Sequence, residues 1–269
     1  MDLIGIIGLI LGFVALIVGM FFKGIPLGMF LEPAALTIIL GGTVACVMNS
    51  YTSKELRNLG FLFKLLFTAT DKTGAVETVR FMSELAVVVR KEGILALEPK
   101  MADISDPFMR KGIQMIIDGT KGEFIMEVLS AEIYEMEERH GDNAGIFTAA
   151  GTYAPTLAVL GAVLGLIAAM AYIDDTQLMS QAIASAFIAT ILGIFTGYVL
   201  WNPFATRLKQ KSKYEVREKR LIVEGILSIQ NGESPQILVD RLKAMLPHSL
   251  QKLLEEGEGR GDDERKGAA

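Results

Sequence analysis

Two stretches of sequence set the architecture of this chain: AGTYAPTLAVLGAVLGLIAAM at residues 150–170 and ASAFIATILGIFTGYVLWNPFATRLKQKS at residues 184–212. The first stretch lies in a run of 31 residues without an acidic or basic side chain, 143–173, and the second overlaps a run of the same length, 176–206. A helix needs about 20 apolar residues to cross the hydrocarbon core of a bilayer. Each stretch is therefore predicted to contain a transmembrane helix.

Two further uncharged runs precede these stretches, with 20 residues at 3–22 and 21 residues at 33–53. The chain has 269 residues, of which 51% are hydrophobic, and its mean hydropathy of +0.40 is above that of an average soluble domain. We predict an all-α membrane protein with four transmembrane helices. Their predicted boundaries are 1–22, 29–50, 146–173 and 178–203.

Basic residues are concentrated on one side of the predicted spans. Four lie within 54–72, after the second span, and seven lie within 207–220, after the fourth, whereas the connections on the other side contain only Lys23. Positively charged loops remain in the cytoplasm. The pattern predicts a multi-pass protein of the cytoplasmic membrane with both termini inside the cell.

The segments between and after the spans are predicted to be helical. They comprise a cytoplasmic helical domain at 51–145 and C-terminal cytoplasmic helices at 204–254, followed by a disordered Gly-rich, charged tail at 255–269. Ser234 and Pro235 have the sequence pattern of a helix cap followed by the first helical residue.

Two apolar stripes recur at helical spacing within the segment 51–145. The first is typical of a helix that lies in the membrane interface, and the second indicates a helix that continues past Gly141 and Gly145 into the third span. The stripes consist of Leu56, Leu59, Phe63 and Leu66, and of Ile125, Leu129, Ile133 and Met136.

The predicted spans contain no Asp, Glu, Lys, Arg or His. A proton or sodium carrier normally places an ionisable group at membrane depth, because that group binds the ion. This chain alone is therefore expected not to conduct protons through a titrating carboxylate. A partner protein must supply that group.

Several other functions are excluded by composition. A net charge of −5 argues against nucleic acid as a partner. With one cysteine, Cys46, and two histidines, His140 and His248, no Cys/His metal site is expected within one chain, and these three residues are interpreted as structural or surface residues. The sequence shows no catalytic pair, metal cluster or phosphate-binding loop, so we expect neither an enzyme nor a cofactor.

Small residues recur at helical spacing within the spans, where they let helix backbones approach closely. They are Gly8 and Gly12 in the first span, Gly161 and Gly165 in the third, and Ala189, Gly193 and Gly197 in the fourth.

Together with VVVRKEGILALE at residues 87–98, the two opening stretches resemble the MotA/PomA family of flagellar stator subunits. The resemblance extends from Met1 to about Leu246. It implies a ring, taken to be a pentamer, around the single transmembrane helices of MotB-type partners that bind peptidoglycan. The partner's aspartate would carry the ion, and the cytoplasmic domains would push on the rotor protein FliG.

The resemblance also assigns roles to individual residues. Arg90 and Glu98 match the family's two charged rotor-contact positions, with Lys91 as an auxiliary. Pro155 and Pro203 match the prolines that couple ion binding to conformational change. In the same way, Thr190 matches the threonine that faces the partner's aspartate.

The resemblance favours protons over sodium as the coupling ion. Ala162 and Ala189 stand where sodium-driven members carry threonines, so two hydroxyl ligands for a partly dehydrated Na⁺ are missing. Thr152 departs from the family, because many members have an acidic residue there. A sodium-driven stator and a proton-driven energiser of the ExbB/TolQ kind remain the alternatives, although the latter proteins have three spans rather than four.

Overall fold

The computed structural model describes residues 3–69 and 73–255, and within these ranges the chain is helical without a β-strand. Residues 256–269 of the predicted disordered tail lie outside the described part. The α-helices are α1 Leu3–Phe22, α2 Pro33–Leu36, α3 Gly42–Ser50, α4 Ser53–Leu56, α5 Leu59–Phe67, α6 Gly74–Glu92, α7 Pro107–Ile117, α8 Gly122–Ala171, α9 Thr176–Phe195, α10 Asn202–Gln230 and α11 Pro235–Ala244.

Four helical segments are long and apolar enough to cross a membrane, which confirms the four predicted spans. The segments are Leu3–Phe22, Leu27–Ser50, Gly122–Ala171 and Thr176–Gln230. Two of them contain a π-helical stretch: Thr37–Gly41 joins α2 to α3, and Thr196–Trp201 joins α9 to α10.

The described residues form two compact units. Unit 1 contains residues 3–69 and 139–211, and unit 2 contains residues 73–138 and 212–255. The predicted cytoplasmic domain at 51–145 is therefore divided between them. The reason is the packing of α4 and α5, which we call the interface segment (residues 53–67). Its Leu62 and Leu66 are buried against Phe147 and Leu208, near the ends of the predicted third and fourth spans.

The interface segment is two short helices rather than one. It breaks at residues 57 and 58 between α4 and α5, and its buried side chains are Leu62 and Leu66, whereas Phe63 of the predicted stripe stays partly exposed. Thr52 and Glu55 form a capping box at the start of α4, and the hydrogen bonds from Thr52 hold the pKa of the Glu55 carboxyl below its usual value.

Aromatic rings join α5 to the middle of α8 and to the start of α10. Phe63 stacks edge-on against Phe147 at 5.3 Å and against Phe204 at 6.3 Å, and Trp201 contacts the same two rings. Lys211 donates hydrogen bonds from its ammonium group to the last carbonyls of α5. These contacts fix the interface segment to unit 1.

The first span packs on the fourth through one of its two predicted small-residue positions. Phe13 stacks edge-on against Phe195 at 5.0 Å, and a Cβ added at Gly12 would lie 2.6 Å from Val199 Cγ1. Gly8 has open space around it within the described chain. The predicted role of Gly8 in packing is therefore not seen within one chain.

Unit 2 is organised around a single apolar core. The predicted stripe at Ile125, Leu129, Ile133 and Met136 is buried there, together with side chains of α6, α7, α10 and α11. Ser234 accepts a hydrogen bond from the Ile237 backbone, which confirms the predicted cap.

We expect Leu129→Ala to destabilise unit 2 by about 2–5 kcal/mol, because Leu129 is 0% exposed and its removal leaves a cavity. The measurement is the midpoint of thermal unfolding of the purified protein. Tyr134→Ala on the same helix is the control, since Tyr134 is 65% exposed. Equal midpoints for the two variants would contradict the assignment of this core.

Candidate functional site

Helices α8 and α9 approach each other closely because small residues face one another along the pair. A Cβ added at Gly193 would collide with Ala158 and lie 2.8 Å from the Ala154 carbonyl oxygen. About two helical turns further along the pair, a Cβ added at Gly165 would lie 2.9 Å from Ala186 Cβ. Backbone-to-backbone packing of this kind needs residues without larger side chains at these positions.

Gly197 lies against the ring of Pro155. A Cβ added at Gly197 would lie 2.7 Å from Pro155 Cγ and 2.9 Å from the Gly151 carbonyl oxygen. Pro155 has no N–H, so it cannot donate the helical hydrogen bond to Gly151. Gly197 therefore covers the point where the hydrogen-bond ladder of α8 is interrupted.

Gly197 belongs to the π-helical stretch Thr196–Trp201, which ends two residues before Pro203. Pro203 cannot donate to the carbonyl of Val199, and a missing donor lets the ladder shift its register. Both prolines are therefore next to the π-helical stretch. Pro155 contacts it through Gly197, and Pro203 follows it along the chain. Pro203 itself is exposed, whereas Pro155 is half-buried.

Thr190 on α9 and Ala162 on α8 lie at the same position along the axis of the helix pair. Their sequence neighbours Ala189 and Gly161 are in contact, since a Cβ added at Gly161 would lie 3.4 Å from Ala189 Cβ. Both Thr190 and Ala162 are half-buried, whereas Ala189 is buried. Pro155 lies seven residues from Ala162, which corresponds to about 10 Å along α8.

The hydroxyl groups of this pair are already bonded to their own helices. Thr190 Oγ1 donates to the Ala186 carbonyl at 3.1 Å, and Thr156 and Thr152 make the same contact one turn back along α8. Each hydroxyl keeps lone pairs that can accept a hydrogen bond from water or from a protonated acid. The pair can therefore orient an acid or a water chain, but its uncharged runs at 143–173 and 176–206 contain no acidic or basic side chain.

No metal site accompanies the pair. Among residues 3–69 and 73–255, no group of three or more His, Cys, Asp and Glu side chains is arranged to hold a metal ion.

A charged corner in unit 2 contains the predicted rotor-contact residues. Helix α6 ends at Glu92, and Gly93 follows with a φ of +86°, a value that favours glycine. Beyond it, Leu97 inserts into the core of unit 2 and fixes the turn, while Arg90 and Glu98 on either side remain exposed.

The three charged side chains of the corner are available for a partner. Arg90, Lys91 and Glu98 are exposed, and none of them forms an ion pair with a residue in the described part of the chain. Arg90 and Lys91 lie in the last turn of α6, where a cation also interacts favourably with the helix dipole. The corner thus presents a cationic side and an anionic side around a rigid turn.

Two features of this site were not predicted from the sequence. Gly197 was expected to serve helix packing in general, without a specific contact to Pro155, and the π-helical stretch was not expected at all. Only Pro203 could have indicated that stretch, because a proline removes one donor from the preceding turn.

Comparisons with known proteins place these features in a family. A model of the MotA/TolQ/ExbB proton channel family matches residues 100–220. The chain is 44% identical over 267 residues to Motility protein A of Bacillus subtilis (strain 168), which covers 99% of each protein. It also matches the structure of the flagellar MotAB stator complex from Bacillus subtilis with a TM-score of 0.86 and 46% identity, over 91% of this chain and 96% of that chain. The structure of C. jejuni MotAB matches with the same TM-score of 0.86 at 30% identity, over 92% of this chain and 97% of that chain.

We expect Gly197→Ala to separate the π-helical stretch Thr196–Trp201 from Pro155 and to destabilise unit 1 by about 1–3 kcal/mol, because the new methyl group overlaps the Pro155 ring. The measurement is again the thermal unfolding midpoint. Gly8→Ala makes the same change on α1 in open space, so its midpoint should be unchanged or slightly raised. A Gly197→Ala protein as stable as the Gly8→Ala protein would show that this contact is not close.

Proposed function

The chain belongs to the MotA/TolQ/ExbB proton channel family and is a stator subunit of the bacterial flagellar motor, and we propose that it works as a ring of copies around a MotB-type partner. We take the ring to be a pentamer, the partner to be a single-span protein that binds peptidoglycan, and the rotor protein to be FliG. The proposal places the charged segments and both termini in the cytoplasm.

The observation that carries this proposal is the absence of ionisable side chains from the membrane helices. The uncharged runs of α8 and α9 contain hydroxyl groups but no acid or base. Moving a charge through hydrocarbon without a compensating group is costly, so an ion that crosses beside these helices needs an acid from another protein. The MotB-type partner supplies that acid, and Thr190 orients the acid or its water.

Pro155 and Pro203 convert the ion's passage into movement in this proposal. Neutralising the partner's acid changes which face of the α8 and α9 pair it prefers. The hydrogen-bond ladder is interrupted at Pro155 and changes register in the π-helical stretch Thr196–Trp201, and Gly197 brings these two irregular places into contact. A shift at this contact is the proposed step from one ring position to the next.

The energy of one ion is sufficient for a step of this kind. Moving one elementary charge across 100 mV releases about 2.3 kcal/mol. Rearranging a small helix interface involves free energies of the same order, since a one-residue overpacking of a core costs about 1–3 kcal/mol.

The proposed rotor contact is the charged corner of unit 2. Arg90 and Glu98 present opposite charges on a turn that the buried Leu97 fixes. Exposed charges at a contact chiefly steer and align the partner, and opposite signs let the corner both attract and repel charges on a passing rotor surface. Lys91 adds to the cationic side.

Protons are the proposed coupling ion. Ala162 and Ala189 provide no oxygen ligand, and the buried Ala189 lies against Gly161, so the level of Thr190 has a single hydroxyl where a partly dehydrated Na⁺ would need several oxygen atoms. A proton needs only the partner's acid and water.

We expect Arg90→Glu and Glu98→Lys to impair swimming while the assembled complex still conducts protons, because the changes alter the rotor contact and not the membrane helices. Swimming speed and proton leak through an unplugged complex are measured on the same strains. Glu127→Lys, an exposed acid elsewhere in unit 2, is the control and should leave speed unchanged. Normal motility of both single variants and the double variant would refute the rotor contact.

We expect swimming speed to fall with a protonophore and to be insensitive to sodium removal and to a sodium-channel blocker. The physical reason is the missing hydroxyl ligands at Ala162 and Ala189. The measurement is the speed of tethered or swimming cells across sodium concentrations at constant membrane potential. Speed that rises with sodium would assign the chain to the sodium-driven alternative.

A further inference from the structure

A cavity of about 380 Å³ lies in unit 1 where the second span meets the interface segment. It is lined by the last turns of α3, by α5, by the start of the membrane part of α8, and by Trp201. The volume is within the range of about 300–1,000 Å³ that is typical of ligand sites. Neither the stator function nor the rotor contact uses this cavity.

The wall of the cavity is apolar. The lining residues are aliphatic or aromatic apart from Thr43. The Thr43 hydroxyl oxygen and the Trp201 indole nitrogen are buried, and neither has a hydrogen-bond partner in the described chain. These two atoms are not exposed to the cavity, so a headgroup or a polar metabolite would leave most of its hydrogen bonds unmade there. A hydrocarbon chain makes no hydrogen bonds and therefore loses none on entering the cavity.

The cavity opens at the outer surface of the second span. Val44 is 57% exposed and Met48 is 63% exposed, and both line the cavity mouth. These residues lie in the last turns of a membrane helix that ends at Ser50. The mouth is therefore open to the leaflet on the side where α4 and α5 lie.

Cations surround the interface segment that forms one side of the cavity. Lys54, Arg57 and Lys64 are exposed, and none of them forms an ion pair with a residue in the described ranges. The acid in this segment, Glu55, is occupied by two hydrogen bonds from Thr52 at 2.6 and 2.7 Å. Basic groups at a membrane surface attract anionic lipids.

We propose that this cavity binds one acyl chain of an anionic phospholipid whose headgroup contacts Lys54 and Arg57. The apolar wall selects the hydrocarbon chain, and the cations of α4 and α5 select the charge of the headgroup. The bound lipid would fill the space between α3, α5 and Trp201. This inference depends on the membrane placement of the chain and is independent of the stator assignment.

Trp201 is the natural probe for this site, because it lines the cavity and is the chain's one tryptophan. The complex with its partner is reconstituted in vesicles of unlabelled lipid that contain a small fraction of brominated phosphatidylglycerol or, separately, brominated phosphatidylcholine. Bromine quenches tryptophan fluorescence only at short range. A complex that carries Trp201→Phe provides the partner's own contribution, which is subtracted.

We expect the brominated anionic lipid to quench Trp201 at a lower mole fraction than the brominated zwitterionic lipid does. Val44→Phe fills the cavity mouth and should remove this preference, whereas Val18→Phe makes the same change on the exposed face of α1 and should preserve it. The double variant Lys54→Gln and Arg57→Gln should weaken the anionic preference roughly tenfold. Lys209→Gln with Lys213→Gln changes the net charge equally and should leave the preference intact.

Three results would overturn the proposal. Equal quenching by the two brominated lipids would show that the headgroup charge is not selected. Unchanged quenching in Val44→Phe would show that the bromine reaches Trp201 from outside the cavity. Quenching by neither lipid would show that a neighbouring copy of the chain covers the site.

Discussion

Hydrocarbon provides no hydrogen-bond partner for a backbone group and no counter-charge for an ion, and this constraint determines the membrane part of the chain. Every span is helical, so the backbone N–H and C=O groups form hydrogen bonds within each helix. The threonine hydroxyl groups of the third and fourth spans donate hydrogen bonds to carbonyls of their own helix. Because lipid also provides no hydrophobic force between helices, the pair associates through Gly193 and Gly197 against the small residues of α8. The same absence of charge is the reason for proposing that a partner supplies the acid.

Three irregular features of the third and fourth spans meet at the Pro155 contact. Pro155 removes one hydrogen bond from α8, Pro203 removes one from the fourth span, and the π-helical stretch Thr196–Trp201, which contains Gly197, directly precedes Asn202 and Pro203. A regular helix pair resists deformation because every backbone group is bonded. For this reason the proposed step lies where bonds are already missing, at the contact between Gly197 and Pro155.

The interface segment shows how a polar region can belong structurally to a membrane bundle. Leu62 and Leu66 bury the apolar side of α5 against the middle of α8 and the first turns of α10, and Lys211 donates hydrogen bonds to carbonyls at the end of α5. Lys54 and Arg57 are exposed. The packed side thus fixes the segment to unit 1, and the exposed cations are the groups to which the proposed lipid headgroup would bind.

Composition and local pattern were enough to predict the features that depend on a single stretch of sequence. The four spans follow from the length of uncharged runs, the stripe from Ile125 to Met136 follows from helical periodicity, and the cap of α11 follows from the adjacent residues Ser234 and Pro235. The resemblance to a stator family added the candidate residues Arg90, Glu98, Pro155 and Thr190. All of these are local patterns, which propensity and periodicity describe well.

Contacts between residues that are far apart in the sequence are evident only in the folded chain. Gly197 and Pro155 are 42 positions apart, and their contact depends on the register of two antiparallel helices, which no local pattern specifies. Leu62 and Phe147 are also far apart in the sequence. Their packing makes the interface segment part of unit 1 and forms the surroundings of the cavity beside Trp201. Such contacts depend on how whole surfaces fit together, because the free energy of packing belongs to pairs of elements and not to either element alone.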